Sequence, residues 1–585
     1  MARTSPKRPQ SCGAQSPRLL TLTTLVSAAL GVLIANPVYA QQRPDAGRVL
    51  DTVKEPRPVP KPAPEITVQP EAKPALKAQP GLKVKVAAFR ISGNTVFSEA
   101  ALLPLVSGQI GKELDFEELN QAANKVAVYY RSKGYFLAQA YLPAQQITDG
   151  KVEIAVLEGR VGEVKLNTKE NARLRESRTK SILGAIQPGD LINERSLERG
   201  LLLLNDMPGV IVKSTLEPGT KVGTADVAVE LGDDGKRVSG SVKADNWGSR
   251  FTGEYRVGAD LNLNNPSGFG DMLSVSALTS NGNGSPMGRV SYVVPVGSWG
   301  TKLGASASKL DYTLGKDYTN LLAHGTATVG SVYALHPFVR TRNFNVVGIV
   351  GADRKKLEDF IDSQSSTDER TLRIFKAGLS GDFSDNVFGG SLNTFSLTVT
   401  SGDVDIRTPL KKTIDQSAGG YSTFGSYNKV NYEYQRQQAL PRNLSLFVSL
   451  SGQTASKNLI SAEQFALGGP NAVRAYPVGE GVGDEGVVVN AELRWNVPQT
   501  PFMLNGFLDY GHSMLHKTPS AADIAQGNPK YRNIFGYGVG LNVGKPSSYL
   551  LRTSIAWRSD RKDNPPVADT TDRNPRAWVQ LTKWF

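Results

Sequence analysis

From about residue 233 to the C-terminus, the sequence alternates apolar and polar residues in short runs separated by Gly, Asn, Asp and Ser. The stretch YGVGLNVG places Tyr537, Val539, Leu541 and Val543 on one face of a strand, with Gly and Asn on the other. An apolar outer face with a polar inner face is typical of membrane-spanning β-barrels. No apolar run of helical length follows the N-terminal segment, so a membrane location requires a closed barrel, which satisfies every backbone group in lipid.

The length of this region sets the size of the barrel. At about 22 residues for each strand and its connection, residues 233–585 predict a transmembrane β-barrel of about 16 antiparallel strands, with a lumen wide enough for water. The alternative is a soluble β-sandwich or a tandem of sandwiches, in which the apolar faces would form cores between sheets.

The N-terminus determines the compartment. Residues 1–40 are predicted to be a secretory signal peptide, because basic residues precede an apolar run at 19–35 and the small residues of Val38-Tyr39-Ala40 offer a cleavage point. An uncleaved anchor helix is the alternative, but several Thr and Ser residues interrupt the run. Cys12 is the only cysteine in the sequence and lies inside the signal, so the mature chain has no thiol for a disulfide, a zinc cluster or a nucleophile.

Residues 41–83 read as a short plug-like helix followed by a proline-rich linker. In PDAGRVLDTV, Asp45 is the expected helix cap, and Val49, Leu50 and Val53 lie on one side of one or two helical turns. Prolines then recur every two to five residues, which removes amide donors and favours a semi-rigid polyproline II segment.

Residues 84–159 and 160–232 predict two small α/β modules. Each shows strand and helix patterns in the order β-α-α-β-β, so the second is a fainter copy of the first. In the first copy, apolar residues at spacings of three and four from Phe116 to Tyr130 indicate an amphipathic helix that ends near Gly134.

The barrel region also contains candidate site residues. The loop at 466–486 carries GGPNAVRAYP, with Arg474 at its centre, and alternation places Asp509, Glu492 and Arg494 on inner strand faces. Arg474 is either bound to a carboxylate inside the lumen or exposed without a fixed partner, and spacing alone does not separate the two. His512 and His516 have i, i+4 spacing on a predicted strand, which argues against a metal pair, and no cofactor is expected. The net charge of +13 is spread along the chain, which does not indicate a nucleic-acid site.

Several stretches resemble the transporters of two-partner secretion, the TpsB family, in which POTRA domains precede a 16-stranded barrel. These are GYFLAQAYLPAQQITDGKVEIAVLEGRV, NNPSGFGD, LHPFVRTRNFNVVG, and most specifically EQFALGGPNAVRAYPVGEGVGDEGVVVNAELRW followed by GFLDYGH. The resemblance covers nearly all of the mature chain. It implies that the two modules are POTRA domains and that the loop at 466–486 folds back into the lumen.

The resemblance also implies a latch inside the lumen. The family's loop motif matches Val473, Arg474 and Tyr476, and its wall motif matches Phe507, Asp509 and Gly511. Glu492 and Arg494 would line the lumen nearby. Ala475 replaces the usual glycine of the loop motif, so if that position needed positive φ, the alanine would be strained.

The implied function is export of one large unfolded exoprotein, such as an adhesin, a haemolysin or a toxin, across the outer membrane of a Gram-negative bacterium. The POTRA domains would lie in the periplasm, the barrel in outer-membrane lipid, and we expect a monomer that binds no nucleic acid. The chain contains no GxxxxGK[ST] stretch and the periplasm holds no ATP, so transport would proceed without ATP. The alternatives are an insertase for other barrel proteins and a passive porin. An enzyme is disfavoured because GxSxG and HExxH are absent.

Capture of the cargo would use the edge of a module's sheet. An extended chain presents unpaired amides, and an exposed sheet edge accepts it as an added strand. The first candidates are the predicted strands FLAQAYLP and VIVKSTLEP, with the side chains of Phe136, Ala138, Ala140, Ile211 and Lys213. The alternative is that these strands only complete the sheets of their own modules.

Overall fold

The computed structural model describes most of the sequence after the predicted signal. It covers residues 44–51, 66–68, 83–282, 284–559, 565–569 and 571–585, with side chains left undescribed at 51, 66–68 and 194–196. The predicted signal peptide, residues 1–40, and most of the predicted linker, residues 41–83, lie outside the described residues. Within the described residues, no helix has the length and apolar character needed to cross a membrane.

The elements from residue 84 to the barrel form two α/β modules, and a short helix and a short strand precede them in the chain. In chain order they are α1 (Ala46–Asp51), β1 (Ile66–Val68), β2 (Val84–Lys85), β3 (Ala88–Ser92), α2 (Glu99–Leu102), β4 (Glu113–Leu114), α3 (Phe116–Ser132), β5 (Gln139–Tyr141), β6 (Lys151–Leu157), β7 (Arg160–Thr168), α4 (Glu176–Leu183), α5 (Glu194–Asn205), β8 (Val210–Pro218) and β9 (Thr224–Asp233), with 3-10 turns at Leu103–Leu105 and Ser107–Gln109. The sheets have the orders β2-β4, β3-β6-β5 and β1-β8-β9-β7. The predicted order of strands and helices is therefore present in both modules.

Helix α3 organises the first module. The Asp115 carboxylate accepts a hydrogen bond from the Glu118 amide at 2.8 Å, and the Glu118 carboxylate accepts one from the Asp115 amide at 2.9 Å. This reciprocal cap satisfies amides that have no partner within the helix. Leu119, Val126 and Tyr130 are buried on the face that packs against the sheet.

Strands β10 to β25 form one closed antiparallel barrel, which confirms the predicted fold class. They are β10 (Val238–Asp245), β11 (Arg256–Asn264), β12 (Met272–Ser280), β13 (Met287–Val296), β14 (Thr301–Thr313), β15 (Ala323–Arg340), β16 (Phe344–Ile361), β17 (Ser366–Asp385), β18 (Ser391–Ile406), β19 (Gly425–Leu440), β20 (Leu444–Ala455), β21 (Glu485–Asn496), β22 (Phe502–Met514), β23 (Tyr531–Lys545), β24 (Tyr549–Arg558) and β25 (Arg576–Trp584). Helix α6 (Pro409–Gln416) follows β18 and α7 (Ala521–Gln526) follows β22, and 3-10 turns lie at Lys316–Leu321, Asp362–Gln364, Val387–Gly389 and Ser461–Glu463. Strands β10 and β25 close the barrel, pairing from Ser241 with Trp584 to Asp245 with Gln580.

Alternation along each strand separates the lumen from the outer surface. On β22, Leu504, Leu508 and Tyr510 are exposed, whereas Phe507 and Asp509 are buried. Apolar side chains therefore cover the outside, as the sequence pattern predicts, and the polar face turns inward.

The second module packs against one end of the barrel, called here the module end; the opposite end is the loop end. Arg340, at the end of β15, binds the Asp206 carboxylate through Nε at 2.7 Å and Nη2 at 2.8 Å. Arg199 Nη2 donates to the Pro337 carbonyl at 2.7 Å. These contacts establish which end of the barrel adjoins the second module.

Candidate functional site

The connection between β20 and β21, residues 456–484 and called loop 6 here, folds into the barrel lumen. Leu467, Val473 and Tyr476 are fully buried, in one cluster with Phe507 of β22 and Ile534 of β23. A long loop at the loop end of a barrel would otherwise be open to solvent. Its burial means that loop 6 occupies the lumen and packs on the wall.

Arg474 of loop 6 binds two carboxylates on the barrel wall. Its Nε and Nη2 donate to the two oxygens of Asp509 at 2.9 and 2.7 Å, and Nη1 donates to Glu492 Oε1 at 2.6 Å. The Arg474 amide donates to Asp509 Oδ2 at 3.0 Å. Fork-to-carboxylate pairing is the strong and geometrically specific form of an ion pair. We call the Arg474, Asp509 and Glu492 contact the lumen lock.

Neighbouring side chains hold the lumen lock in place. The Arg474 guanidinium lies 3.4 Å from the centre of the Phe507 ring, a cation–π contact. Arg494 Nε donates to the second Glu492 oxygen at 2.8 Å, so two guanidiniums balance two carboxylates. This balance matters because an unpaired buried charge is costly.

Two supporting residues were missed by the sequence analysis. Asn490 Nδ2 donates to Asp509 Oδ1 at 2.7 Å and to the Ala472 carbonyl at 2.8 Å. Trp578 Nε1, on β25, donates to the Arg474 carbonyl at 2.7 Å. Asn490 lies directly opposite Asp509 on the neighbouring strand β21, whereas the Trp578 contact joins residues far apart in the sequence. No local motif marks either residue.

Ala475 fits the loop without strain. Ala475 does not have a positive φ. The glycine that is usual at this position of the family motif is therefore not required for this backbone. The Ala475 Cβ instead packs on Gly536 of β23, where an added Cβ would lie 2.6 Å away. Gly511 is similarly close to Val473, at 3.0 Å from an added Cβ. Glycines on the wall therefore make room for loop 6.

A second buried ion pair anchors the far side of loop 6. Arg532 Nη2, on β23, donates to Glu480 Oε1 at 2.6 Å. Glu480 Oε2 accepts hydrogen bonds from the amides of Val567 and Ala568 at 2.8 and 2.9 Å. Glu480 thus connects loop 6 to the last loop of the barrel, a contact that no sequence pattern predicts.

Helix α1 lies in the lumen near the loop end, beside loop 6. The Ala46 amide donates to Asp359 Oδ1 on β16 at 2.8 Å, and Tyr312 on β14 donates to the same oxygen at 2.5 Å. Gly47 is so close to loop 6 that an added Cβ would lie 2.5 Å from the Ala462 amide nitrogen. As predicted for its cap, Asp45 Oδ1 accepts from the Arg48 amide at 3.0 Å.

The predicted cargo-binding side chains have mixed positions. Strand β5 is limited to Gln139–Tyr141, and Ala138 before it is only 1% exposed, so its side chain is not accessible at a sheet edge. Phe136 packs against the core of the second module. Tertiary packing between modules therefore overrides the strand pattern before Gln139. Ala140 lies on β5, which is an edge strand.

The edge of β8 carries the other two predicted residues. Ile211 and Lys213 are exposed. Part of this edge is not open, however, because β1 of the linker pairs with it in parallel, from Ile66 with Ser214 to Val68 with Leu216. This pairing demonstrates that the edge accepts an extended strand. Cargo binding at the same edge stays a prediction.

A buried carboxylate, Glu158, organises the end of the first module. Glu158 accepts hydrogen bonds from the amides of Thr95 and Val96 at 2.6 and 2.7 Å and from the Tyr130 hydroxyl at 2.9 Å. Burial alone would raise the pKa of Glu158, but the hydrogen bonds from Thr95, Val96 and Tyr130 outweigh it and hold the pKa below the ordinary value of 4.5. The charged form is therefore the stabilising one.

Glu158→Gln is expected to loosen the first module at neutral pH. A carboxylate with a depressed pKa stabilises the fold above its unfolded pKa, and that stability is lost as pH falls through the folded pKa. Replacing the charged acceptor should cost about 1–3 kcal/mol. Hydrogen exchange of the α3 amides should therefore speed up at pH 7, with the difference from the unmodified protein shrinking below about pH 4. Glu113→Gln, at an exposed site in the same module, is the matched control; equal exchange in both variants at pH 7 would contradict the prediction.

Among the described residues, no group of three His, Cys, Asp or Glu side chains could hold a metal ion. His512 and His516, the pair considered in the sequence, lie in different surroundings. His512 Nδ1 hydrogen-bonds with Asn533 at 2.6 Å, whereas the His516 ring stacks on Tyr421 at 3.9 Å. Each ring thus has its own neighbour rather than a shared ligand.

Comparison with known proteins gives two family matches. A model described as haemolysin secretion/activation protein ShlB/FhaC/HecB matches residues 223–543, and one described as POTRA domain, ShlB-type, matches residues 84–159. The heme/hemopexin transporter protein HuxB of Haemophilus influenzae is 28% identical, over 97% of this chain and 99% of its own length. The outer membrane transporter CdiB of Dickeya dadantii is 24% identical, over 80% of this chain and 82% of its own length.

Solved structures show the same fold. CdiB from Escherichia coli aligns with a TM-score of 0.65 at 21% identity, covering 88% of this chain and 93% of that one. CdiB from Acinetobacter baumannii aligns with a TM-score of 0.59 at 17% identity, covering 97% of both chains.

Proposed function

This chain belongs to the haemolysin secretion and activation family ShlB/FhaC/HecB and is an outer-membrane transporter that secretes an exoprotein; we propose that it captures this cargo at the β8 edge and releases it through the barrel after loop 6 and α1 move. The module end faces the periplasm and the loop end faces outside. Secretion then requires a periplasmic entry site and a lumen that opens.

One observation carries the entry proposal: the pairing of Ile66–Val68 with Ser214–Leu216 on β8. Backbone hydrogen bonds of this kind bind an extended chain without requiring a particular sequence. A cargo strand at the same edge has to displace the linker strand or extend beyond it toward Ile211 and Lys213. The linker would then compete with cargo and keep the edge satisfied when none is present.

The resting state is closed from within the lumen. The lumen lock holds loop 6 on the wall, and α1 fills space beside it at the loop end. Opening therefore requires that cargo binding favour an arrangement in which these contacts are broken. Folding of the cargo outside the cell supplies a direction to transport without ATP.

We propose five consecutive segments from the N-terminus to the C-terminus. Residues 1–40 are a signal peptide that is removed, 41–83 hold the plug helix and linker, 84–159 and 160–232 are POTRA domains, and 233–585 form the barrel with the inward loop at 466–486. The junction between the POTRA domains contains Glu158, and the junction with the barrel contains the Arg340–Asp206 pair. Entry, transfer and exit would thus use consecutive parts of the chain.

The proposed partners are limited to cargo and lipid. The cargo is one large exoprotein, an adhesin, a haemolysin or a toxin; the name of HuxB favours a protein that handles heme or hemopexin as a second candidate. The barrel closes within one chain, which supports a monomer in outer-membrane lipid. We propose no nucleic-acid partner, no cofactor and no catalysis, since Asp509 and Glu492 are bound to Arg474.

Photocrosslinking tests the entry site. A photoreactive residue in place of Lys213 should capture the exoprotein during secretion, because that position lies on the β8 edge. The matched control is Val222, which is 81% exposed in the turn after β8. Capture at Lys213 but not at Val222 is the expected result. Continued secretion with no capture at Lys213, or equal capture at both positions, would contradict entry at this edge.

A further inference from the structure

The outer surface of β16 and β17 carries an apolar band with a pair of phenylalanines at one end and a pair of arginines at the other. Phe344 and Phe383 lie directly opposite each other near the module end, and Arg354 and Arg373 lie opposite each other toward the loop end. Ten residues separate Phe344 from Arg354, which at about 3.3 Å per residue and a tilt of about 40° span about 25 Å. This is the height of the apolar band of an outer-membrane barrel, so the arginines stand at its outer boundary.

Arg354 and Arg373 are an unbalanced pair of cations. Both side chains are exposed, and neither makes a hydrogen bond or ion pair within the described part of the chain. Like charges directly opposite on neighbouring strands are destabilising. Asp403 lies opposite Arg373 on β18, but its carboxylate accepts from Ser426 at 3.2 Å and forms no ion pair with the arginine.

Nearby outward lysines differ because they have their own carboxylates. Lys356 Nζ lies 2.9 Å from Glu358 and 3.5 Å from Glu369. Lys309 Nζ, two strands away, lies 3.2 Å from Asp311. Among these four outward-facing cations of the described chain, the two lysines have carboxylate partners and the two arginines have none.

The wall around the pair has the shape for a lipid. Gly330 lies opposite Arg354 on β15, and a side chain added there would meet open space. Directly toward the membrane lie Val332, Ala352 and Phe375, with Val332 and Phe375 more than half exposed. An anion at the arginines would thus be continuous with an apolar surface that takes hydrocarbon.

We propose that Arg354 and Arg373 bind a phosphate of a phosphorylated outer-leaflet lipid, with its acyl chains along Val332 and Phe375. The Arg340–Asp206 contact joins the module end to the periplasmic POTRA domains, so these arginines face the outer leaflet. Guanidiniums bind phosphate through parallel charge-assisted hydrogen bonds, and a bound phosphate removes the repulsion between them. In an outer membrane this chemistry belongs to lipid A. The inference is independent of the proposed cargo path.

Native mass spectrometry of the full chain tests the lipid site. The protein is equilibrated with phosphate-free maltoside detergent micelles containing diphosphoryl lipid A, monophosphoryl lipid A or dephosphorylated lipid A, or with inorganic phosphate alone. Arg354→Gln with Arg373→Gln should weaken retention of diphosphoryl lipid A by at least tenfold, because charge-assisted hydrogen bonds are lost. The control, Lys530→Gln with Lys545→Gln, removes two exposed cations at the ends of β23 and should retain lipid.

Gly330→Leu provides a second variant that keeps both arginines. A Cβ at residue 330 would meet no atom within 4 Å, so the barrel should fold. The leucine side chain should occupy the space beside Arg354 and weaken lipid A binding although both arginines remain. Equal retention of lipid A by the unmodified protein and both test variants would overturn the proposal. So would retention independent of phosphate number, or binding of inorganic phosphate as tight as that of lipid A.

Discussion

Replacing Arg474 with alanine is expected to abolish export of the exoprotein while the barrel still inserts into the outer membrane. The change leaves Asp509, which is 0% exposed, and Glu492 facing each other without the cation between them. Removing one partner of a buried ion pair costs about 3–5 kcal/mol. The substitution weakens the contact between loop 6 and the barrel wall and leaves the hydrogen bonds between strands intact. Loop 6 should therefore leave the lumen before the barrel unfolds.

Two further variants separate charge from geometry. Arg474→Lys keeps the charge but loses the planar fork that reaches both Asp509 oxygens, so its secretion should lie between those of the alanine variant and the unmodified protein. Arg407→Gln is the matched control, because Arg407 follows β18, is exposed and pairs with Asp405, away from the lumen lock; it should secrete like the unmodified protein. Surface exoprotein and heat-modifiable migration of the barrel are measured together. Normal secretion by Arg474→Ala would show that the lumen lock is not needed for transport.

The alternation along the strands predicted the wall carboxylates of the lumen lock, but it did not predict the side chains that surround the lock. A period of two fixes which side of β22 holds Asp509, so a wall carboxylate was readable from the sequence. Trp578, which bonds to the Arg474 carbonyl, lies over a hundred residues from it in the chain. That contact depends on the closure of β25 onto β10 and on the shear of the barrel, which no single strand encodes.

In the first module, tertiary packing overrides a local strand pattern. Ala138 falls in an alternating run, yet it is buried beside α3, and the strand starts only at Gln139. The linker shows the reverse case. Ile66-Thr67-Val68 is a β-branched run between prolines, which is a usable strand signal, but its partner on β8 is set by where the second module lies.

Gly47→Val is expected to drive α1 from the lumen and raise the ion conductance of the purified barrel in planar bilayers. Any Cβ at residue 47 would lie 2.5 Å from the Ala462 amide nitrogen and 2.8 Å from the Ala462 Cβ, and the backbone there cannot yield without moving loop 6. Overpacking of this kind costs about 1–3 kcal/mol. That cost favours the displaced state by about 5- to 150-fold.

Once α1 is displaced from the lumen, few interactions favour its return. A helix as short as α1 is unstable in water on its own. Its position in the lumen provides the hydrogen bond to Asp359 and the apolar surroundings of Val49, which are lost when α1 leaves. Gly419→Val, in the loop after α6 where an added side chain meets only ordinary contact, is the control and should conduct like the unmodified protein. Unchanged conductance in Gly47→Val would mean that α1 does not seal the lumen, and the resting barrier would then rest on loop 6 alone.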